Sequence, residues 1–128
     1  MLTETERKIL VESYVGAYNR FDIAGMLTNL DEKIVFKNIS DGETTLEIKG
    51  LDAFRKQAEY GASLFSERKQ IIEKMVFAGE ICEVDIDYKA KLAADSPGGL
   101  RAGEEISLKG KSKFRFADGK ITEIQDVS

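Results

Sequence analysis

The stretch Tyr14-Val15-Gly16-Ala17-Tyr18-Asn19-Arg20-Phe21-Asp22-Ile23-Ala24-Gly25-Met26-Leu27, with Ile34-Val35-Phe36-Lys37-Asn38 soon after it, decides the fold. Leu10, Tyr14, Ala17 and Phe21 recur at helical period behind Thr3 and Glu6, which have the spacing of a capping box. Asp22 restarts the chain as the N-cap of a short helix that buries Ile23, Met26, Leu27 and Leu30. Lys33 to Ile39 then alternates as a strand, Asp41-Gly42 turns it, and a short strand runs from Thr44 to Ile48. Gly50 precedes a third helix with Phe54, Ala58, Gly61 and Phe65 as its inner stripe.

Beyond Lys69 the texture changes to long alternating strands, read as 69–78, 80–93, 104–117 and 120–127. Their links are Gly79-Glu80, the loop Ala94 to Gly103 with a turn at Ser96-Pro97-Gly98-Gly99, and Asp118-Gly119. The order is two helices, two strands, a helix and a four-stranded meander, an α+β layout. With 128 residues, 42% of them hydrophobic, and no repeats, one domain over 1–128 is expected.

Composition narrows the chemistry. There are no histidines and one cysteine, Cys82, which removes Ser-His and Cys-His catalysis and leaves no zinc ligand set. A general acid or base must therefore be a carboxyl, a tyrosine or a lysine. A net charge of −4 argues against a nucleic-acid partner. The lone cysteine fits a reducing compartment, no secretory signal follows Met1, and no apolar run reaches membrane-spanning length, so a cytoplasmic location is expected.

This order of elements resembles the nuclear-transport-factor-2-like fold of ketosteroid isomerase and the SnoaL-like polyketide cyclases. The resemblance covers nearly the whole chain, and its first 38 residues follow the isomerase pattern without a gap. It implies a cone: a curved, mostly antiparallel sheet wrapped over three helices, with one open mouth. It also implies a homodimer packed through outer sheet faces, and no cofactor. Tyr14 falls where the isomerase pattern has a tyrosine donating to the substrate's oxyanion, and Ser112 where it has a protonated aspartate as second donor. Asn38 falls at the position of the aspartate that moves the proton, and an amide cannot do that work.

Strand parity supports a pocket independently. Ile106, Leu108, Gly110, Ser112, Phe114 and Phe116 share one face, with Lys109, Lys111, Lys113 and Arg115 opposite. The neighbouring strand sets Val84, Ile86, Tyr88, Ala90 and Leu92 against Asp85, Asp87 and two lysines. Asp85 and Asp87 are expected to pair with the facing lysines rather than bind metal. Tyr18, Phe36, Asn38, Phe54, Tyr88 and Phe114 are expected to line a site for a small apolar molecule. Cys82 reads as a small buried hydrophobe.

Asp126 depends on the hairpin before it. A two-residue Asp118-Gly119 loop pairs Phe116 with Ile121 and turns Glu123 and Gln125 inward; a three-residue Ala117-Asp118-Gly119 loop turns Ile124 and Asp126 inward. The second is preferred, because it places Ile124 beside Ser112 and Asp126 across from Gly110, where a side chain is missing. Inside, Asp126 would have a raised pKa and could serve as a general base; outside, it would pair with Lys111.

Three functions compete on these readings. One is an isomerase, cyclase or related lyase acting next to a carbonyl, with Asp126 as base and Tyr14 and Ser112 as oxyanion donors. The second is a non-catalytic carrier of a small hydrophobic molecule. The third is a protein-interaction module whose cone is filled by its own side chains.

Overall fold

The computed structural model describes residues 2–96 and 99–128; the centre of the expected turn, Pro97-Gly98, lies outside them. Helix α1 spans Glu4–Asn19 and opens on the capping box, with Thr3 and Glu6 bonding to each other's backbone N–H at 3.1 and 3.0 Å. Phe21 then adopts a left-handed conformation (φ 58°), which ends α1 and hands the chain to α2, Ile23–Leu27. Asp22 caps α2 by accepting from the Gly25 N–H at 3.0 Å, as expected. Helix α3, Leu51–Leu64, follows the β1–β2 hairpin of Leu30–Ser40 and Glu43–Lys49. At the hairpin turn Asp41 and Gly42 both have positive φ, the backbone that an Asp-Gly pair tolerates best.

Four strands complete the chain: β3 Phe65–Ala78, β4 Ile81–Leu92, β5 Glu105–Ala117 and β6 Lys120–Val127. The sheet order is β2-β1-β6-β5-β4-β3. Every pairing is antiparallel except β1 with β6, which closes the two halves of the chain on each other. This is the α+β arrangement expected, with β3 starting at Phe65, four residues before the sequence reading. The third helix therefore stops at Leu64, and Phe65 begins the strand.

The helices cover the inner sheet face. Val11, Ile34, Cys82, Val84, Phe114, Ile121 and Ile124 are fully buried between the two layers, joined by Tyr14, Val15, Phe54 and Phe116. Cys82 is a core residue, and burial pushes its thiol up to about 11. The outer face carries ion pairs: Lys111 with Glu83 and Asp85, Lys109 with Glu73, and Arg115 and Lys37 with Glu123. Asp85 pairs as expected. Among the described residues Asp87 forms no ion pair, although Lys109 faces it, because the Lys109 ammonium reaches Glu73 instead. Among the described residues, no helix is long and apolar enough to cross a membrane.

The β5–β6 hairpin corrects the sequence reading. Its loop has two residues, Asp118 and Gly119, both with positive φ, and Phe116 pairs with Ile121. The next pair is Arg115 with Glu123, so Thr122 is an extra residue, a bulge, whose hydroxyl donates to the Arg115 carbonyl at 3.3 Å. The bulge restores the phase that the longer loop would have given. Ile124 and Asp126 face inward, but Ile124 sits opposite Phe114 and Asp126 opposite Ser112.

Gly110 serves a different neighbour from the one expected. A Cβ there would lie 2.9 Å from the Val127 carbonyl oxygen, so the bare backbone is what lets the end of β6 lie close beside β5. Gly110→Ala should therefore lower stability by about 1–3 kcal/mol, the usual cost of overpacking. An unchanged midpoint in chemical denaturation would show that the strand end moves aside freely.

Candidate functional site

A cavity of about 210 Å³ opens between the ends of β1, β4, β5 and β6. Its polar lining includes Tyr18, Asn38, Gln70, Tyr88, Ser112 and Asp126, and its apolar lining Ile86, Leu108 and Val127. That is smaller than the usual range for drug-sized ligands, so it suits a compact molecule. The open space runs against a cone filled by its own side chains.

Two strands aim the carboxyl. Ser112 lies on the buried side of β5, and the bulge at Thr122 places Asp126 directly across from it. The Ser112 hydroxyl donates to Asp126 Oδ1 at 2.7 Å. Burial raises the Asp126 carboxyl to about 6, and the Ser112 bond offsets part of that rise. Lys111, the outside partner considered for Asp126, is held by Glu83 and Asp85.

Facing this pair across the cavity are two phenols. Tyr18 and Tyr88 bring their hydroxyl oxygens to 2.9 Å, with their rings tilted at 56°. Burial pushes both phenols up, so they stay protonated and act as donors. Tyr18 sits one turn after Tyr14 on α1, and Tyr88 faces inward on β4 between Ile86 and Ala90.

Behind Tyr18 stands a residue that the sequence reading passed over. Arg68 is only 6% exposed, stacked 3.7 Å over the Tyr18 ring and 4.5 Å over that of Phe21. Its Nε donates to the Tyr18 carbonyl at 2.9 Å, and its Nη2 has no hydrogen-bond partner. No carboxylate forms an ion pair with it among the described residues. Next to it, Asn19 and the Gln70 backbone exchange two bonds of 3.1 and 2.8 Å, which fix the end of α1 to β3. The signal was available: once β3 starts at Phe65, Arg68, Gln70 and Ile72 share the inward face, opposite Ala90, Tyr88 and Ile86.

The other expected site residues fall into two groups. Tyr18, Tyr88, Asn38, Ser112 and Asp126 meet at the cavity. Tyr14, Phe54 and Phe114 pack behind it in the core, with Tyr14 at 5.8 Å and 73° to Phe114, while Phe36 meets Phe54 edge to face at 5.9 Å. Tyr14 thus does not line the cavity, and burial pushes its phenol up, with the Asp126 charge adding to the effect. Ser112 lines the cavity and donates its hydrogen to Asp126, which holds that carboxyl's pKa down. Asn38 lies in register with Asp126 on the parallel neighbour, its amide held by the Thr45 hydroxyl at 2.9 Å.

The family model of the SnoaL-like domain matches residues 11–124. Among solved structures the chain is similar to AclR, a candidate hydroxylase from Streptomyces galilaeus, at 24% identity and TM-score 0.78, covering 98% of this chain and 90% of that one. It is similar to a candidate polyketide cyclase from Xanthomonas campestris pv. campestris at 22% identity and TM-score 0.81, covering 97% and 90%. A protein with a ketosteroid-isomerase-like fold from Catenulispora acidiphila, in complex with trimethylamine, matches at 13% identity and TM-score 0.74, covering 91% and 82%. At these identities the likeness speaks for the fold, which is of the nuclear-transport-factor-2 type. No curated protein matches the sequence.

The Asp126 shift has a thermodynamic consequence. Its folded pKa of about 6 lies above the ordinary 3.8, so its contribution to folding is most favourable at low pH and declines as pH rises through 6. Asp126→Asn keeps an acceptor for Ser112 and removes the desolvated charge. The variant should be more stable than the parent at pH 8, on the order of 2–3 kcal/mol, with the difference vanishing below about pH 4. Thermal melts across that range test it; a variant that melts lower at pH 8 would mean the charge is already compensated.

Proposed function

This chain belongs to the SnoaL-like domain family, and we propose that it is an acid–base enzyme working beside the carbonyl of a small, mostly apolar compound, as an isomerase, cyclase or related lyase. The observation that carries this reading is a desolvated carboxyl, Asp126, opening into the same cavity as the Tyr18–Tyr88 hydroxyl pair. A base is most useful when its pKa lies near the working pH. At about 6, Asp126 is largely ionised at neutral pH yet more basic than an exposed aspartate.

The ionised carboxylate takes a proton from the carbon next to the ligand carbonyl. The C–H electron pair moves to the carbonyl oxygen, which becomes an enolate, and a tyrosine hydroxyl donates a hydrogen bond to it. In a ligand with a neighbouring double bond the enolate is conjugated, and Asp126 returns the proton to the far carbon as the carbonyl re-forms, which is isomerisation. Alternatively the enolate carbon bonds to a second carbonyl carbon of the same molecule, that carbonyl's π pair moves to its oxygen, and Asp126 gives the proton to the resulting alkoxide, which closes a ring. Asn38 cannot titrate, so the proton-carrying role that the isomerases give to that position moves one strand over to Asp126.

Solvent deuterium incorporation next to the carbonyl of a compact ketone such as 2-tetralone, followed by NMR, tests the proposal. The exchange rate should rise with pH through about 6 and then level off, as an ionising Asp126 requires. Asp126→Asn should lose about 10²-fold or more of the protein-dependent rate. Ser112→Ala removes the bond that holds the carboxyl down, so the midpoint of the profile should move upward. Exchange by Asp126→Asn at the parent rate would instead favour a carrier that binds without chemistry.

A further inference from the structure

We propose that Arg68 is a positioning and charge-setting residue that acts through Tyr18, so that the Tyr18–Tyr88 end of the cavity favours an ionised oxygen over a neutral one. This deepens the enzyme reading and rests on the cavity being the ligand site. Two phenols in contact have two protons between them. Only one can bridge the 2.9 Å gap between their oxygens, so the other hydrogen points elsewhere. Neither hydroxyl bonds to anything else among the described residues, and both tyrosines line the cavity. The spare donor is therefore offered to whatever occupies that space.

Arg68 supplies the second, independent observation. A guanidinium this buried normally sits against a carboxylate, because an uncompensated interior charge is costly. Here it sits against the faces of Tyr18 and Phe21, its Nη2 unbonded. Ring faces offer partial compensation. A ligand anion held on the far side of Tyr18 would offer the rest, with the polarised phenol between the two charges. Arg68 does not line the cavity, so it acts through Tyr18 as a positioning and charge-setting residue.

The other ionisable groups near the subsite are consistent with an anionic guest. Asp126 is the carboxyl that lines the same cavity, and its elevated pKa makes it neutral in mildly acid solution. Lys111 also lines the space but spends its ammonium on Glu83 and Asp85 outside. Tyr14, buried behind, stays protonated. Arg68 is thus the cation near the tyrosines that no side-chain anion among the described residues has claimed.

Binding of 4-nitrophenol at pH 5 separates the outcomes, because the free phenol is then neutral and Asp126 largely protonated. The bound molecule should absorb as the phenolate, and 4-nitroanisole, which cannot ionise, should bind at least tenfold more weakly. Arg68→Met should lose at least tenfold in phenolate affinity and change 4-nitroanisole binding less than twofold. Arg68→Lys should recover part of the phenolate band. If Arg68→Met does not fold, the double variant Tyr18→Phe with Tyr88→Phe serves, since it removes both donors and should also abolish the band. Asp126→Asn should keep the band while losing ketone exchange, which separates the subsite from the proposed base. A bound phenol that stays neutral overturns the subsite and leaves the cavity as a ligand site. A phenolate band that persists in Arg68→Met overturns Arg68's role, and one lost in Asp126→Asn assigns the proton to Asp126 instead. If neither probe binds, both the subsite and the ligand-site reading fall.

Discussion

One unpaired residue, Thr122, sets which side of β6 meets the helices. A strand places alternate side chains on opposite faces, so a slip of a single residue exchanges the whole set. With the tight Asp118-Gly119 loop alone, Glu123 and Gln125 would enter the core and Ile124 and Asp126 would leave it. The bulge reverses that choice after Ile121, which allows Ile121 and Ile124 both to be fully buried although they are three residues apart. The energetic reason is plain: two isoleucines go into the core and Glu123 goes out to Arg115 and Lys37. The inward Asp126 is carried along by that preference, and Ser112 waits opposite to meet it.

The polar groups around the cavity follow a common logic. Each is held by one firm interaction and left with unused capacity. Asp126 accepts from Ser112 through one oxygen. The two tyrosines share one hydrogen and keep another. Arg68 uses Nε on the Tyr18 carbonyl and leaves Nη2 unbonded. Buried polar groups are ordinarily satisfied in full, since each lost hydrogen bond costs about 1–3 kcal/mol. Here the incompletely bonded groups lie in, or directly behind, the wall of one cavity.

Much of this was legible in the sequence because the signals were local. The capping box at Thr3 and Glu6, the Asp22 cap and the Asp41-Gly42 turn each rest on a few adjacent residues, and each stands where expected. Parity along β4 and β5 correctly divided an apolar face from a charged one. The failures came where distant chain segments decide the outcome. A bulge is an agreement between two strands, so Thr122 gave no sign of it alone. Tyr14 and Phe114 were correctly turned inward, but inward includes both cavity wall and core, and only packing distinguishes them. Arg68 was missed because the start of β3 was placed too late, and a charged residue next to a helix end reads as surface.

The position of β6 in the sheet bears on how the molecule comes together. It follows every other element in chain order, yet it lies in the middle of the sheet, between β1 and β5. Until it inserts, the β1–β2 hairpin and the β3–β4–β5 meander are two separate sheets, each with an open edge. Joining them requires contacts between residues separated by most of the chain, which slows folding. Unpaired edges in the waiting halves invite pairing between molecules. The strand that brings the carboxyl to the cavity is thus also the keystone of assembly, so expression yield and site integrity should fail together when β6 is weakened.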